Sequence, residues 1–151
     1  GQYDKSMKLI DELQAKYPRN FMFDMTRGSL FGRQKKWDQA AQVYKQTAEK
    51  VLAKTNGYDR LRVERVYMEL ANSQIQAEKF ADSNATYALV VKGAGATANE
   101  KANAHLWMGR MADTRKDRAE AQRHYNAVLE LDCAPNLKAD ARALLKKPFG
   151  R

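Results

Sequence analysis

Three side chains of this 151-residue chain are of the kind that holds a transition metal: His105, His124 and Cys133. Zinc takes imidazole and thiolate donors, most recognisably in Cys-x-x-Cys or His-Glu-x-x-His spacing. Here the three lie nineteen and nine positions apart and form neither pattern, so no metal site is expected. His105 reads instead as a helix-face residue near Trp107. Nucleophilic catalysis has no better footing. No Gly-x-Ser-x-Gly elbow occurs, and Cys133 stands by a turn proline, Pro135, with no paired base evident. Neighbouring carboxylates such as Asp11 and Glu12 project to different sides of a helix rather than forming an acid–base pair. Residues 87–91 followed by Gly93, Gly95 and Ala98, with Asp113 beyond, imitate a dinucleotide fingerprint. No second parallel strand follows, and the glycines read better as a loop. No catalytic residue and no cofactor is therefore expected, and the chain is not expected to be an enzyme.

Without reactive groups, the information lies in patterning. Lys and Arg total 27 against 18 Asp and Glu, a net charge of +9, and charged residues make up 30% of the chain. That excess favours acidic partners, whether peptide, nucleic acid or membrane surface, although the basic residues form no continuous block. No apolar run reaches the eighteen residues that suggest a membrane span. With one cysteine, no intrachain disulfide can form.

A repeat emerges when Gly28, Ala71 and Gly109 are aligned. Twelve residues after each stands another small residue, Ala40, Ser83 and Ala121; sixteen after each stands a tyrosine, Tyr44, Tyr87 and Tyr125. Nine residues after the first two comes an aromatic, Trp37 and Phe80, where the third unit has Arg118. Glycine inside a helix costs about 1 kcal/mol relative to alanine, so its presence there points to close approach of a second helix. The small residues on that second helix and the large tyrosines complete the expected unit, an antiparallel helix pair. One such pair cannot bury its apolar stripe alone, so pairs must stack.

These positions resemble the tetratricopeptide repeat family. The match runs from Tyr67 through Leu70, Ala71, Phe80 and Ser83 to Tyr87, through Gly28, Phe31, Trp37, Ala40 and Tyr44, and through Met108, Gly109, Ala121, Tyr125 and Val128. Pro18 stands where the closing proline of a preceding repeat belongs. The closing run Leu144, Leu145, Lys146, Lys147, Pro148, Phe149 is similar to the ends of bacterial members. The resemblance implies an all-α fold, a right-handed α-solenoid of antiparallel helix pairs with about eight helices. It implies a single domain over 1–151: a half repeat at 3–17, repeats near 20–54, 58–92 and 97–131, and a capping helix at 137–147. The tyrosines lie 43 and then 38 positions apart, beyond the family period of about 34, so extra residues fall between pairs, at 48–62 and 92–97.

The helices are expected at 4–16, 20–33, 37–54, 58–77, 80–92, 97–115, 118–131 and 137–147. The chain opens half-way through a repeat, and its first helix, with Met7, Leu9, Ile10 and Leu13, calls for cover on more than one side. A fragment of a longer repeat protein is the expected reason, and self-assembly through that helix is one alternative.

In the family the first helix of each pair lines a concave face that holds a peptide or a partner helix. By register that face carries Met22, Met25, Ser29 and Arg33; then Arg65, Met68, Glu69, Asn72 and Gln76; then Asn103, Leu106, Trp107, Arg110 and Asp113. Methionine adapts to varied partners, and tryptophan and arginine are enriched at binding hot spots. The carboxylate clamp of the family uses lysine, asparagine and arginine, whereas the corresponding places here carry Met25, Ser29, Glu69, Asn103 and Trp107; a chaperone C-terminus is therefore not expected as ligand. The expected function is a protein–protein interaction scaffold for a partner peptide or helix. RNA or another polyanion on the basic surface is the other alternative.

Overall fold

The computed structural model describes residues 1–150. Eight α-helices carry the described residues, and no strand occurs among them. They are α1 Gln2–Lys16, α2 Phe21–Arg33, α3 Trp37–Leu52, α4 Val63–Gln76, α5 Phe80–Lys92, α6 Ala98–Thr114, α7 Arg118–Glu130 and α8 Pro135–Lys146. The chain divides into two compact units, Gly1–Lys79 with α1 to α4 and Phe80–Arg151 with α5 to α8. Within each unit every helix packs on the next, as in a helical repeat, and α6 also meets α8.

The glycines explain why the hairpins close so tightly. In the first unit a methyl group added at Gly28 would lie 2.5 Å from the Tyr44 ring; in the second, one added at Gly109 would lie 2.4 Å from the Tyr125 ring. Real carbon atoms do not approach so closely, so only hydrogen at these α-carbons lets the ring of α3 lie on α2, or the ring of α7 on α6. Ala40 and Ala121, four residues earlier on the second helices, are fully buried and keep those backbones close. Both tyrosines are buried, and burial raises their hydroxyl pKa, helped in Tyr44 by Glu69 and in Tyr125 by Asp113.

The turns repeat as faithfully as the rings. Seven residues after Gly28, Ala71 and Gly109 stand Lys35, Glu78 and Lys116, all with positive φ. Each turn makes the same two backbone bonds: Lys35 to Gly32 and Lys36 to Phe31, Glu78 to Ile75 and Lys79 to Gln74, Lys116 to Asp113 and Asp117 to Ala112. This is the left-handed helix termination that normally favours glycine, because a side chain there crowds its own backbone. Lys54, after α3, has the same geometry and ends that helix at Leu52, two residues short of the expected boundary.

The largest departure from expectation is at residues 58–62, which the expected helix at 58–77 included and which instead form a loop before α4. Gly57 takes a φ of +89°, and a methyl group there would sit 1.8 Å from the Arg19 carbonyl oxygen. That contact and conformation stop helix growth. They direct Tyr58 and Leu61 inward, where both are buried. The extra residues between the first two tyrosines therefore add a buried plug to the first unit. At α1, Ile10 is buried while Leu9 is 54% exposed, so α2 covers only one of its apolar flanks.

Replacing Lys35 or Lys116 by glycine is expected to stabilise the chain by about 0.5–1 kcal/mol each, since the left-handed conformation then carries no side-chain penalty. Gly57→Ala is expected to cost several times that, on the order of 3 kcal/mol, through steric overlap and the strained φ together. Urea melts followed by circular dichroism check both signs.

Candidate functional site

In the first unit, α2 and α4 flank an open cleft of about 540 Å³. Its α2 wall is Gly28, Ser29, Gly32 and Arg33; its α4 wall is Glu69, Asn72, Ser73 and Gln76, a stripe at helical spacing; Trp37 and Tyr44 of α3 complete it. The glycines form this cleft as well as closing the hairpin. A side chain at Gly32 would be 3.1 Å from the Trp37 ring, so bare backbone and an aromatic face meet at one end. The lining combines a cation, an anion, hydroxyls and two carboxamides around the edge of a tyrosine. Carboxamides offer a donor and an acceptor together, the pairing that an extended peptide backbone presents.

Beside this cleft a polar network braces α1, α2, α3 and the Tyr58 loop. Asp24 of α2 is buried and accepts from Gln14 at 2.8 Å, from Lys50 at 2.7 Å and from the Tyr58 hydroxyl at 2.5 Å. Burial opposes its ionisation, yet the bonds from Lys50, Tyr58 and Gln14 outweigh it and hold the carboxyl below its ordinary value. Arg27 bridges Asp11 and Gln14 of α1. Both Asp24 oxygens face donors inside the protein, so the network fixes the positions of these helices.

The second unit has a counterpart around Asp113. Its carboxylate accepts from Arg118 at 3.0 and 3.1 Å, from the Tyr125 hydroxyl at 2.9 Å and from the Phe149 backbone N–H at 3.0 Å. Burial raises the pKa of Asp113, but these bonds outweigh it and leave the group lowered. Arg118 also donates to the Leu144 and Leu145 carbonyls at 2.8 and 2.6 Å, closing the end of α8. Arg118 and Asp113 occupy the repeat positions of Trp37 and Gly32. An aromatic ring on glycine in one hairpin is replaced by an ion pair in the other.

His105 of α6 and His124 of α7 meet with their Nδ1 atoms 3.0 Å apart. Such a contact needs one ring nitrogen to donate and the other to accept, which two cations cannot do. Burial lowers the His105 pKa to about 4, with further repulsion from His124 and Lys101. Burial likewise lowers that of His124, and Arg123 and Arg115 add to it against the opposing pull of Glu120. Cys133 takes no part, since its Sγ lies 3.6 Å from the Val128 carbonyl oxygen. Among the described residues no three His, Cys, Asp or Glu side chains stand together as a metal site would need.

The expected groove residues separate on inspection. Arg33, Asn72 and Gln76 line the cleft, as do Ser29 and Glu69. Met22 and Arg65 are exposed outside its lining, while Met25 and Met68 are half-buried, Met25 against the first unit's core. Leu106 is 2% exposed and packs with Ala102, Tyr125 and Val128, so the groove position expected for it is corrected to a core position. The helical stripe alone could not separate the two, because the positions on either side of a packed face alternate closely. Asp113 is likewise buried in its ion pair. Trp107 and Arg110 stack together, the guanidinium 4.8 Å from the ring centroid. Gly28, Gly32, Trp37, Tyr44 and Ser73 are cleft residues that the register expectation omitted; the first, third and fourth were already visible as repeat positions, read only for packing. Comparison with protein-family models, curated proteins and solved structures finds no match.

The histidine pair yields a pH dependence. Both folded-state pKa values lie below the ordinary 6.5, so the unfolded chain takes up protons first as pH falls. Their contribution is complete above pH 6.5 and declines toward pH 4, with a loss on the order of 2 kcal/mol. The lowered carboxyls of Asp24 and Asp113 act in a lower window, below their ordinary 3.8. Urea melts between pH 7 and about pH 4.5 should show the decline, and the double variant His105→Asn, His124→Asn should flatten it.

Proposed function

We propose that the chain is a non-enzymatic peptide-binding module of the tetratricopeptide type, with its hairpins in right-handed solenoid order and the α2–α4 cleft as its receptor. The observation that carries this reading is the lining of that cleft. First helices of successive expected repeats face one another across it, and their side chains are polar, mixed in charge and set at helical spacing over an aromatic edge. The three turns of identical hydrogen bonding support the repeat assignment. The occupant best matched to these groups is an extended segment whose backbone pairs with Asn72 and Gln76. A carboxylate on it would meet Arg33, the charge-assisted contact that favours orientation. With Arg33 on its α2 wall and Glu69 on its α4 wall the cleft is two-signed, so a uniformly acidic ligand fits it less well than one alternating in charge.

Peptides selected from a random displayed library on the purified chain test this. Arg33→Ala and Asn72→Ala should each weaken a selected peptide about tenfold with unchanged circular dichroism, the loss typical of a central contact. Arg65→Ala, outside the cleft lining, should change affinity less than about twofold. Failure to select any peptide, or equal losses at all three positions, contradicts the reading. Binding of a random single-stranded oligonucleotide that persists at physiological salt would instead favour the polyanion alternative.

A further inference from the structure

A different recognition surface belongs to the second unit, and it already holds a short piece of the same chain. Beyond α8 the backbone turns back so that the Phe149 N–H donates to Asp113 at 3.0 Å. The Phe149 ring lies over the Arg110 guanidinium at 5.6 Å, and that guanidinium lies over the Trp107 ring at 4.8 Å. Trp107, Arg110 and Asp113 are i, i+3 and i+6 on α6, so they form one continuous strip of that helix. We propose that this strip is a recognition site for an extended segment bearing phenylalanine, and that residues 148–150 occupy it in cis as a stand-in for a partner segment of that chemistry.

Three features argue for a stand-in over a simple helix cap. Phe149 remains 43% exposed, so its ring is not buried as a core residue would be. Among the described residues it is held by a backbone hydrogen bond and a ring face, the two elements by which grooves commonly hold extended segments. Finally, the Nε of Arg110 is buried with no hydrogen-bond partner. A buried unpaired donor is a penalty that the tail leaves uncorrected. A partner segment presenting a carbonyl or carboxylate beside its phenylalanine would satisfy it and so hold an advantage over the tail. The tail compensates by tethering, which supplies it at an effective concentration of the order of millimolar. Arg118 keeps the end of α8 in place through Leu144 and Leu145, so leaving of the tail does not require α8 to move.

The test uses the heptapeptide Leu-Lys-Lys-Pro-Phe-Gly-Arg, which copies residues 145–151, with the indole N–H resonances of Trp107 and Trp37 as readout. On the full chain carrying Phe149→Ala, the peptide at about millimolar concentration should shift the Trp107 signal saturably and leave Trp37 unmoved. On the native chain the apparent affinity should be about tenfold weaker, as for a site kept nine-tenths occupied in cis. Replacing the phenylalanine of the peptide by alanine, or adding Arg110→Ala to the chain, should abolish the shift. An unmoved Trp107 in the Phe149→Ala chain, or equal affinity in both chains, overturns the proposal. Should Phe149→Ala lose helical signal, a chain ending at Lys147 replaces it; loss of helicity there too would make the tail a structural cap and overturn the proposal as well.

Discussion

The structure depends on a contact that only hydrogen permits. Tyr44 lies on the α-carbon of Gly28, and Tyr125 lies on that of Gly109, at distances no other side chain at those glycines would allow. A glycine inside a helix loses about 1 kcal/mol of local stability, so its cost must be offset by what it admits. What it admits is a large aromatic ring at the centre of each hairpin, buried together with alanines on the facing helix. The ring fixes how close the two helices come, and with that the orientation of the side chains beside the glycine. In the first unit those neighbours, Ser29, Gly32 and Arg33, are one wall of the cleft.

Around this shared contact the two units solve the next problem differently. At the hairpin turn of the first unit, Gly32 and Trp37 pack by shape. At the corresponding turn of the second, Asp113 and Arg118 pair by charge, and the pair extends to Tyr125, to the end of α8 and to Phe149. Removing one partner from such a buried set leaves the other without compensation, so the substitutions must travel together. The ion pair thus makes the second hairpin hold the chain that follows it, whereas the first leaves its turn beside an open cleft. One architectural unit serves for anchoring in one case and for exposure in the other.

Much of this was legible in the residues themselves. Glycine and tyrosine sixteen apart give the α2–α3 and α6–α7 pairings, because a large ring needs a small partner and the constant spacing returns both to the same place in these two hairpins. The turns were legible only as positions, since lysine and glutamate do not advertise a left-handed conformation. Arg118 looked like a flaw in the repeat; its meaning depends on Asp113, which is buried only once α6 and α7 have packed. The loop at 58–62 looked like the start of a helix because Tyr58, Leu61 and the residues after them have helical spacing. Contact between Gly57 and Arg19, nearly forty positions earlier, overrides that local preference. The cleft was half legible: the first-helix register supplied Arg33, Asn72 and Gln76, but Leu106 shows that register alone does not separate a lining face from a core face. The pairing of His105 with His124 joins different helices and leaves no local trace.

A double-mutant cycle at the ring contact measures the central claim most directly. Gly28→Ala, Tyr44→Leu and their combination, with Gly109→Ala and Tyr125→Leu as the parallel set, are compared by urea unfolding. If the glycine exists to seat the ring, alanine destabilises the native background through overpacking but becomes neutral or stabilising once the ring is gone, a coupling of about 1–3 kcal/mol. Additive effects, with alanine acting alike in both backgrounds, would contradict the account.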